Sequence, residues 1–232
     1  MNVLDLCSGI GGMSLGIALA DDSARTVCYV EREAFCAAHL AEKARQGLLD
    51  DAPVWTDLTT FEGEPWRGVV DLVTAGFPCQ PFSAAGKRLG TDDERWIWPD
   101  IARIIREVEP GIVFLENVPP LVAHGLSFVL GDLAELGFDA EWDVFSAAEV
   151  GAPHLRKRVF IMARHPDRMR ESTQPVDDEA SGVSGVAANA ERDGRKALAK
   201  ERRQRITESP EPIVSRPAGS TPNTHSPRLE ER

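Results

Sequence analysis

The sequence predicts a doubly wound α/β domain, a mostly parallel sheet wrapped by helices. Short apolar runs alternate with longer amphipathic ones, the pattern of repeated strand–helix units. Two of those runs lead into loops rich in glycine, proline and polar side chains, Asp5–Gly12 and Gly76–Ser83. Pro110 and Gly111 punctuate a third junction.

Asn2–Leu6 reads as the first strand, short and apolar apart from Asn2 and Asp5, and Met13–Ala20 as the helix that follows its glycine loop. Thr26–Val30 is β-branched and apolar, a second strand, and Glu33–Gln46 has the length and spacing of a second helix. Trp55–Leu58 is a short third element, and Val69–Ala75, an almost continuous apolar run, the fourth strand. Ile97–Val108 is amphipathic and helical, Ile112–Leu115 a fifth strand, and Leu121–Leu136 a single helix closed by Gly137. Phe138–Val144 and Arg158–Ala163 complete the sheet.

The globular domain is expected to span residues 1–164. Residues 164–232 hold seven prolines and no aromatic side chain, so they lack the apolar surface that offsets the entropy of ordering. Residues 165–232 therefore read as a disordered tail, with a short basic helix around Ala190–Arg205 whose charges are simply solvated. Neither a leader nor a long apolar stretch is visible, which points to the cytoplasm and away from membranes. The formal net charge is −11, and residues 1–163 carry 25 acidic against 13 basic side chains, so the compact part repels a polyanion. Taken alone, that balance counts against nucleic acid.

Four cysteines without Cys-x-x-Cys spacing argue against a zinc site and a disulfide framework, and no metal is expected. Cys7, Cys28 and Cys36 read as packing residues. Cys79 differs: it follows a strand end between Pro78 and Pro81, in a loop stiff enough to aim a nucleophile. Thirty-seven residues later Glu116-Asn117-Val118-Pro119-Pro120 follows another apolar run, so a carboxyl emerges at a strand terminus and faces the thiol across one crevice.

The first loop, Asp5-Leu6-Cys7-Ser8-Gly9-Ile10-Gly11-Gly12, allows close backbone approach by a nucleotide-like ligand, although Ser14 stands where a dinucleotide fingerprint has its third glycine. Glu31, ending the second strand, is placed to accept from ribose hydroxyls, and Asp57 from an adenine amino group. Either would serve equally as a surface carboxylate.

Together these residues resemble the cytosine-C5 DNA methyltransferase family, in its motif order, over residues 2–163. Asp5–Gly12 is similar to its S-adenosylmethionine loop, Gly76–Ser83 to its nucleophile loop, and Glu116–Val118 to its Glu-Asn-Val motif. Asp93-Glu94-Arg95 and Ile101-Ala102-Arg103 resemble the segment between the last two, and Gly151–Phe160 the arginine motif, with His154 in place of the usual glutamine. The resemblance implies a Rossmann-like domain that binds S-adenosylmethionine through Asp5, Cys7, Ser8, Gly9, Gly11, Gly12, Glu31, Asp57, Pro78 and Ser83. It implies Cys79 and Glu116 as catalytic groups and Arg156 and Arg158 in support of the loop and target base. DNA with a flipped-out cytosine is the implied partner. No closing Gly-Asn motif or second apolar core follows Ala163, so a second polypeptide completing target recognition, a noncatalytic remnant and an RNA cytosine methyltransferase are the alternative readings.

Carbon 5 of cytosine attacks a methyl sulfonium poorly until a nucleophile adds at carbon 6. Cys79 thiolate supplies that addition; a free thiol has a pKa of about 8.5, so a neighbouring cation such as Arg158 would raise its reactive fraction. Glu116 would donate to ring nitrogen 3 as the adduct forms.

Overall fold

The computed structural model describes residues 1–78 and 96–168; Cys79, Ser83, Asp93–Arg95 and residues 169–232 of the expected tail lie outside them, whereas His165 is hydrogen-bonded through its N–H to Gly111 O and Arg168 lies 3.7 Å from Glu109. The described residues form the doubly wound α/β architecture that the sequence predicts. β1 (Asn2–Leu6) pairs in parallel with β2 (Arg25–Val30) and β4 (Leu72–Ala75), and β3 (Val54–Trp55) lies outside β2. β5 (Ile112–Asn117) is parallel to β4, whereas β7 (Lys157–Arg164) runs antiparallel to β5 and to the edge strand β6 (Asp139–Ser146). The sheet order is β3-β2-β1-β4-β5-β7-β6. After β3 the chain crosses to the other side of β1, and this reversal opens a crevice at the carboxyl ends of β1 and β4. The loops after Leu6 and Ala75 both leave the sheet there.

One face of the sheet is covered by α3 (Trp98–Val108), α4 (Pro120–His124) and α5 (Leu126–Glu135). In α3 the residues Trp98, Ile101, Ala102, Ile104, Ile105 and Val108 are buried, the stripe expected of a helix lying on a sheet. Pro99 begins that helix, and Trp98 fastens it to α5 through its indole N–H, which donates to Asp132 Oδ2 at 2.6 Å. On the opposite face α1 (Gly12–Ala20) packs near Val3, Ala24 and Leu72, and α2 (Ala34–Arg45) contributes Leu40 to a cluster with Tyr29 and Leu49.

Four elements differ from expectation. The predicted helix over residues 121–136 is two helices, because Gly125 leaves helical geometry (φ −138°, ψ −16°) while its N–H closes α4 on Leu121 O. Trp55–Leu58 divides into the two-residue β3 and a 3₁₀ turn at Leu58–Thr60. β4 starts at Leu72, since the N–H groups of Val69 and Val70 both donate to Trp66 O and keep those valines in a turn. β5 extends through Glu116 and Asn117, which pair with Phe160 and Val159 of β7. Glu116 is therefore a strand residue, fixed by the ladder, rather than a loop residue beyond a strand terminus.

Candidate functional site

β1 delivers Asp5 to the floor of the crevice, and the carboxylate is fully buried. Ser14 Oγ of α1 donates to Asp5 Oδ2 at 2.6 Å, and Thr74 Oγ1 of β4 donates to Asp5 Oδ1 at 2.7 Å. Burial pushes the Asp5 carboxyl up to about 6, against the opposing pull of those two hydroxyls and with further help from the Glu31 charge. Asp5 thus ties β1, β4 and α1 together beneath the loop. Ser14, out of place in a glycine fingerprint, has its reason here.

Above Asp5 the chain turns sharply. Cys7 has φ 53° and Gly9 φ 54°, left-handed positions at which only glycine is free of strain. Ser8 is buried, its N–H donating to Val30 O at 3.1 Å and its hydroxyl to Asp5 O at 2.6 Å. The Cys7 thiol is pushed up to about 12 by burial and by the Glu31 and Asp5 charges, so it is inert as a nucleophile. The two loop glycines have different duties. A Cβ on Gly11 would meet Leu49 Cδ1 at 2.6 Å and Leu40 Cδ2 at 3.0 Å, a helix-packing contact, whereas a Cβ on Gly9 or Gly12 would meet open space.

Glu31 ends β2 and is mostly buried (8% exposed). Its Oε2 accepts from Gly9 N and its Oε1 from Glu33 N, both at 2.7 Å, so this carboxylate fixes the height of the glycine loop. Asp57 is exposed at the head of the 3₁₀ turn, where its Oδ1 accepts from Thr59 N at 2.9 Å and from Thr59 Oγ1 at 2.7 Å. Those two Thr59 donors hold the Asp57 carboxyl below its ordinary range. Open space over Gly9 and Gly12, a carboxylate anchored beneath them and an exposed acceptor after β3 fit a nucleoside lying across the switch point.

On the other wall of the crevice, Arg158 Nε stands 2.6 Å from Glu116 Oε1, with both side chains about one-fifth exposed. Glu116 Oε2 lies 3.6 Å from where a Cβ on Gly76 would sit, so the carboxylate overhangs the start of the loop that carries Cys79. Asn117, the next residue and buried, donates through Nδ2 to Phe77 O at 2.9 Å. The Phe77 ring packs against Trp96 and Trp98 at centroid distances of 6.1 and 5.8 Å, joining the two ends of segment 79–95. Pro78 is exposed at the rim. Arg156 is exposed just before β7, where its carbonyl accepts from Ala147 N at 3.0 Å; Arg158, not Arg156, is the arginine brought to Glu116.

The sequence did not mark out Ser14, Thr74 or Asn117 as site supports, because their partners are 9, 69 and 40 residues away. Beyond Arg158 lies a cavity of about 480 Å³ lined by Phe114, Phe145, Val150 and Phe160 together with Arg156. Phe114 and Phe160 stack there at 5.7 Å and 9°. The 3₁₀ turn Ala147–Val150 forms part of its wall.

A family model for C-5 cytosine-specific DNA methylases matches residues 1–211, past the Ala163 limit of the motifs read from the sequence. Type II methyltransferase M.NgoMIV of Neisseria gonorrhoeae is 36% identical over 168 residues, covering 69% of this chain and 50% of that protein. Type II methyltransferase M.AluI of Cellulosimicrobium cellulans is 35% identical over 211 residues, covering 82% of this chain and 40% of that protein. The chain spans about half the length, or less, of these curated relatives. Among solved structures, the Dnmt2 methyltransferase of S. pombe superimposes with a TM-score of 0.60 at 22% identity, over 80% of this chain and 57% of that one. A DNA modification methyltransferase encoded within an E. coli prophage gives 0.59 at 26% identity, over 72% and 47%. The likeness to the S. pombe protein is one of fold, while the sequence match carries the family: the chain belongs to the C-5 cytosine-specific DNA methylases.

Proposed function

We propose that this chain carries the centre that methylates carbon 5 of cytosine in DNA, using S-adenosylmethionine. The observation that carries the reading is the Glu116–Arg158 pair overhanging Gly76, three residues before Cys79. Residues 1–164 would be the catalytic domain and 165–232 an appended tail. The cofactor would be held by the Cys7–Gly12 backbone over Asp5 and Ser8, by Glu31 and Asp57 at its nucleoside, and by Pro78 and Ser83 at its reacting end. When bound it supplies an electrophilic methyl group.

Cys79 thiolate adds to carbon 6 of a flipped-out cytosine, and the electron pair of the 5,6 double bond moves to make carbon 5 nucleophilic. Glu116 faces ring nitrogen 3 and the 4-amino group and gives nitrogen 3 a proton as charge develops there. Arg158 grips Glu116 Oε1, which orients the carboxyl and leaves Oε2 over the loop. Arg156 contacts the loop or the backbone of the target strand. After transfer, loss of the carbon-5 proton to water and departure of Cys79 restore the aromatic ring. The protein acts in the cytoplasm; no helix among the described residues is long and apolar enough to cross a membrane.

A second reading, the catalytic half of a two-piece enzyme, is favoured by the exposed Phe145 and Val150 beside the half-buried Phe114–Phe160 stack. Trapping on DNA with 5-fluorocytosine at the target base tests both. A covalent adduct with the chain alone, lost in Cys79→Ser, supports the first; an adduct that forms only when a second polypeptide is added supports the second. Labelling of RNA but not DNA would overturn the DNA assignment.

A further inference from the structure

α3 also carries an arginine that anchors the turn after Asp57. The Arg103 guanidinium forks onto three carbonyls of the segment after Asp57: Nη1 donates to Phe61 O at 2.8 Å, and Nη2 donates to Leu58 O at 3.1 Å and to Thr59 O at 3.4 Å. Glu107, one helical turn on, accepts from Arg103 Nη1 at 3.1 Å through each oxygen and from Gly63 N at 2.7 Å through Oε2. Asp100 lies 3.8 Å from the guanidinium on its other side. Gly63 lies so close that a Cβ there would stand 2.8 Å from Glu107 Cβ. The segment from Leu58 to Gly63 is thus clamped onto α3, and Asp57 is the residue immediately before the clamp.

Upstream, Asp57 is joined to the sheet by a strand of only two residues, Val54–Trp55. Its own turn contacts are local, to Thr59 and, through its carbonyl, to Thr60 N and Trp55 Nε1. A single exposed carboxylate discriminates a base edge only if its backbone is held still, because a hydrogen bond weakens steeply with angle and distance. Here the stillness comes from Arg103, whose planar fork satisfies several carbonyls at once, a task a lysine performs poorly.

We propose that Arg103 is a positioning residue for adenine recognition: through the Leu58, Thr59 and Phe61 carbonyls it sets where Asp57 presents its carboxylate to the 6-amino group of the cofactor. This deepens, and rests on, the assignment of Asp57 to the adenine. No activity is needed to test it. Binding of S-adenosylhomocysteine and of its purine analogue lacking the 6-amino group is measured calorimetrically for the full chain, wild type and variants.

The wild type should prefer the adenine form by about tenfold or more, the worth of one charge-assisted hydrogen bond. Asp57→Ala should abolish the preference, and Arg103→Gln should reduce it to below about threefold while affinity for the analogue stays within about twofold. Arg103→Lys keeps the charge beside Asp100 and Glu107, guards against loss of fold in the glutamine variant, and should retain only part of the preference. If Asp57→Ala loses discrimination while folded Arg103→Gln or Arg103→Lys keeps it in full, Arg103 is merely structural and the inference fails alone. If Asp57→Ala itself keeps the preference, the inference and the adenine assignment fall together, and measurable S-adenosylhomocysteine affinity leaves the cofactor reading intact.

Discussion

Glu116 Oε1 and Arg158 Nε, 2.6 Å apart, are joined across the antiparallel seam between β5 and β7. This seam is the one place where the sheet's otherwise parallel inner strands reverse direction, and it holds an acid in fixed orientation above Gly76.

Because carboxylate and guanidinium act as one unit, their removal should be non-additive. Glu116→Gln and Arg158→Ala are each expected to lower methyl transfer by about 10²-fold or more, and the double variant should be no worse than the poorer single one. Single-turnover rates on one DNA substrate check this. Multiplying effects would separate the two roles.

Asn117 donates to the carbonyl of a buried residue, so its loss leaves Phe77 O without its partner among the described residues. Asn117→Asp cannot donate from a carboxylate and should cost about 1–3 kcal/mol of stability, read as a lowered urea midpoint at unchanged m. The loss of aim in the loop should slow adduct formation about tenfold more than it weakens cofactor binding.

The glycines of the first loop should part company. Gly11→Ala meets both left-handed strain (φ 84°) and Leu49, and is expected to lower stability by about 2–4 kcal/mol. Gly9→Ala has room for its methyl group and carries only the strain at φ 54°, about 1 kcal/mol. Its main effect should be on cofactor affinity, weakened about tenfold. Thermal melts with and without S-adenosylhomocysteine distinguish them.

Asp5 should leave a signature in acid. Its folded pKa of about 6 lies above the 3.8 of an ordinary aspartate, so between those values the unfolded chain loses its proton first and the native state loses stability as pH rises. The slope is up to about 1.4 kcal/mol per pH unit. Asp5→Asn does not titrate, so wild-type stability minus variant stability should fall from pH 4 to pH 6 and stay level above. A difference that rises through that window would show that Asp5 is stabilised as the anion.

Much of this site can be located along the chain and little of it can be assembled there. Glu31, Asp57 and Glu116 announce themselves because each follows or ends a short apolar run, and a parallel sheet puts such positions at one edge, whereas Arg158 is marked only by the resemblance of Gly151–Phe160 to the arginine motif. Gly125 does not stand out as a break in the sequence, because helical periodicity continues through it; only the backbone geometry shows the turn. Ser14, Thr74, Asn117 and Arg103 carry no local pattern that says what they hold.

The sequence alone determined the alternation of strands and helices, the glycine loop and the chemical types needed for thiol addition, since these depend on periodicity and on residues adjacent in the chain. Tertiary structure decided the partnerships: Arg158 rather than Arg156 with Glu116, Ser14 and Thr74 on Asp5, and Arg103 on the turn after Asp57. A hydrogen bond extends about 3 Å and ignores sequence distance, so which side chains share it is fixed only when the sheet order β1-β4-β5-β7 brings their strands together.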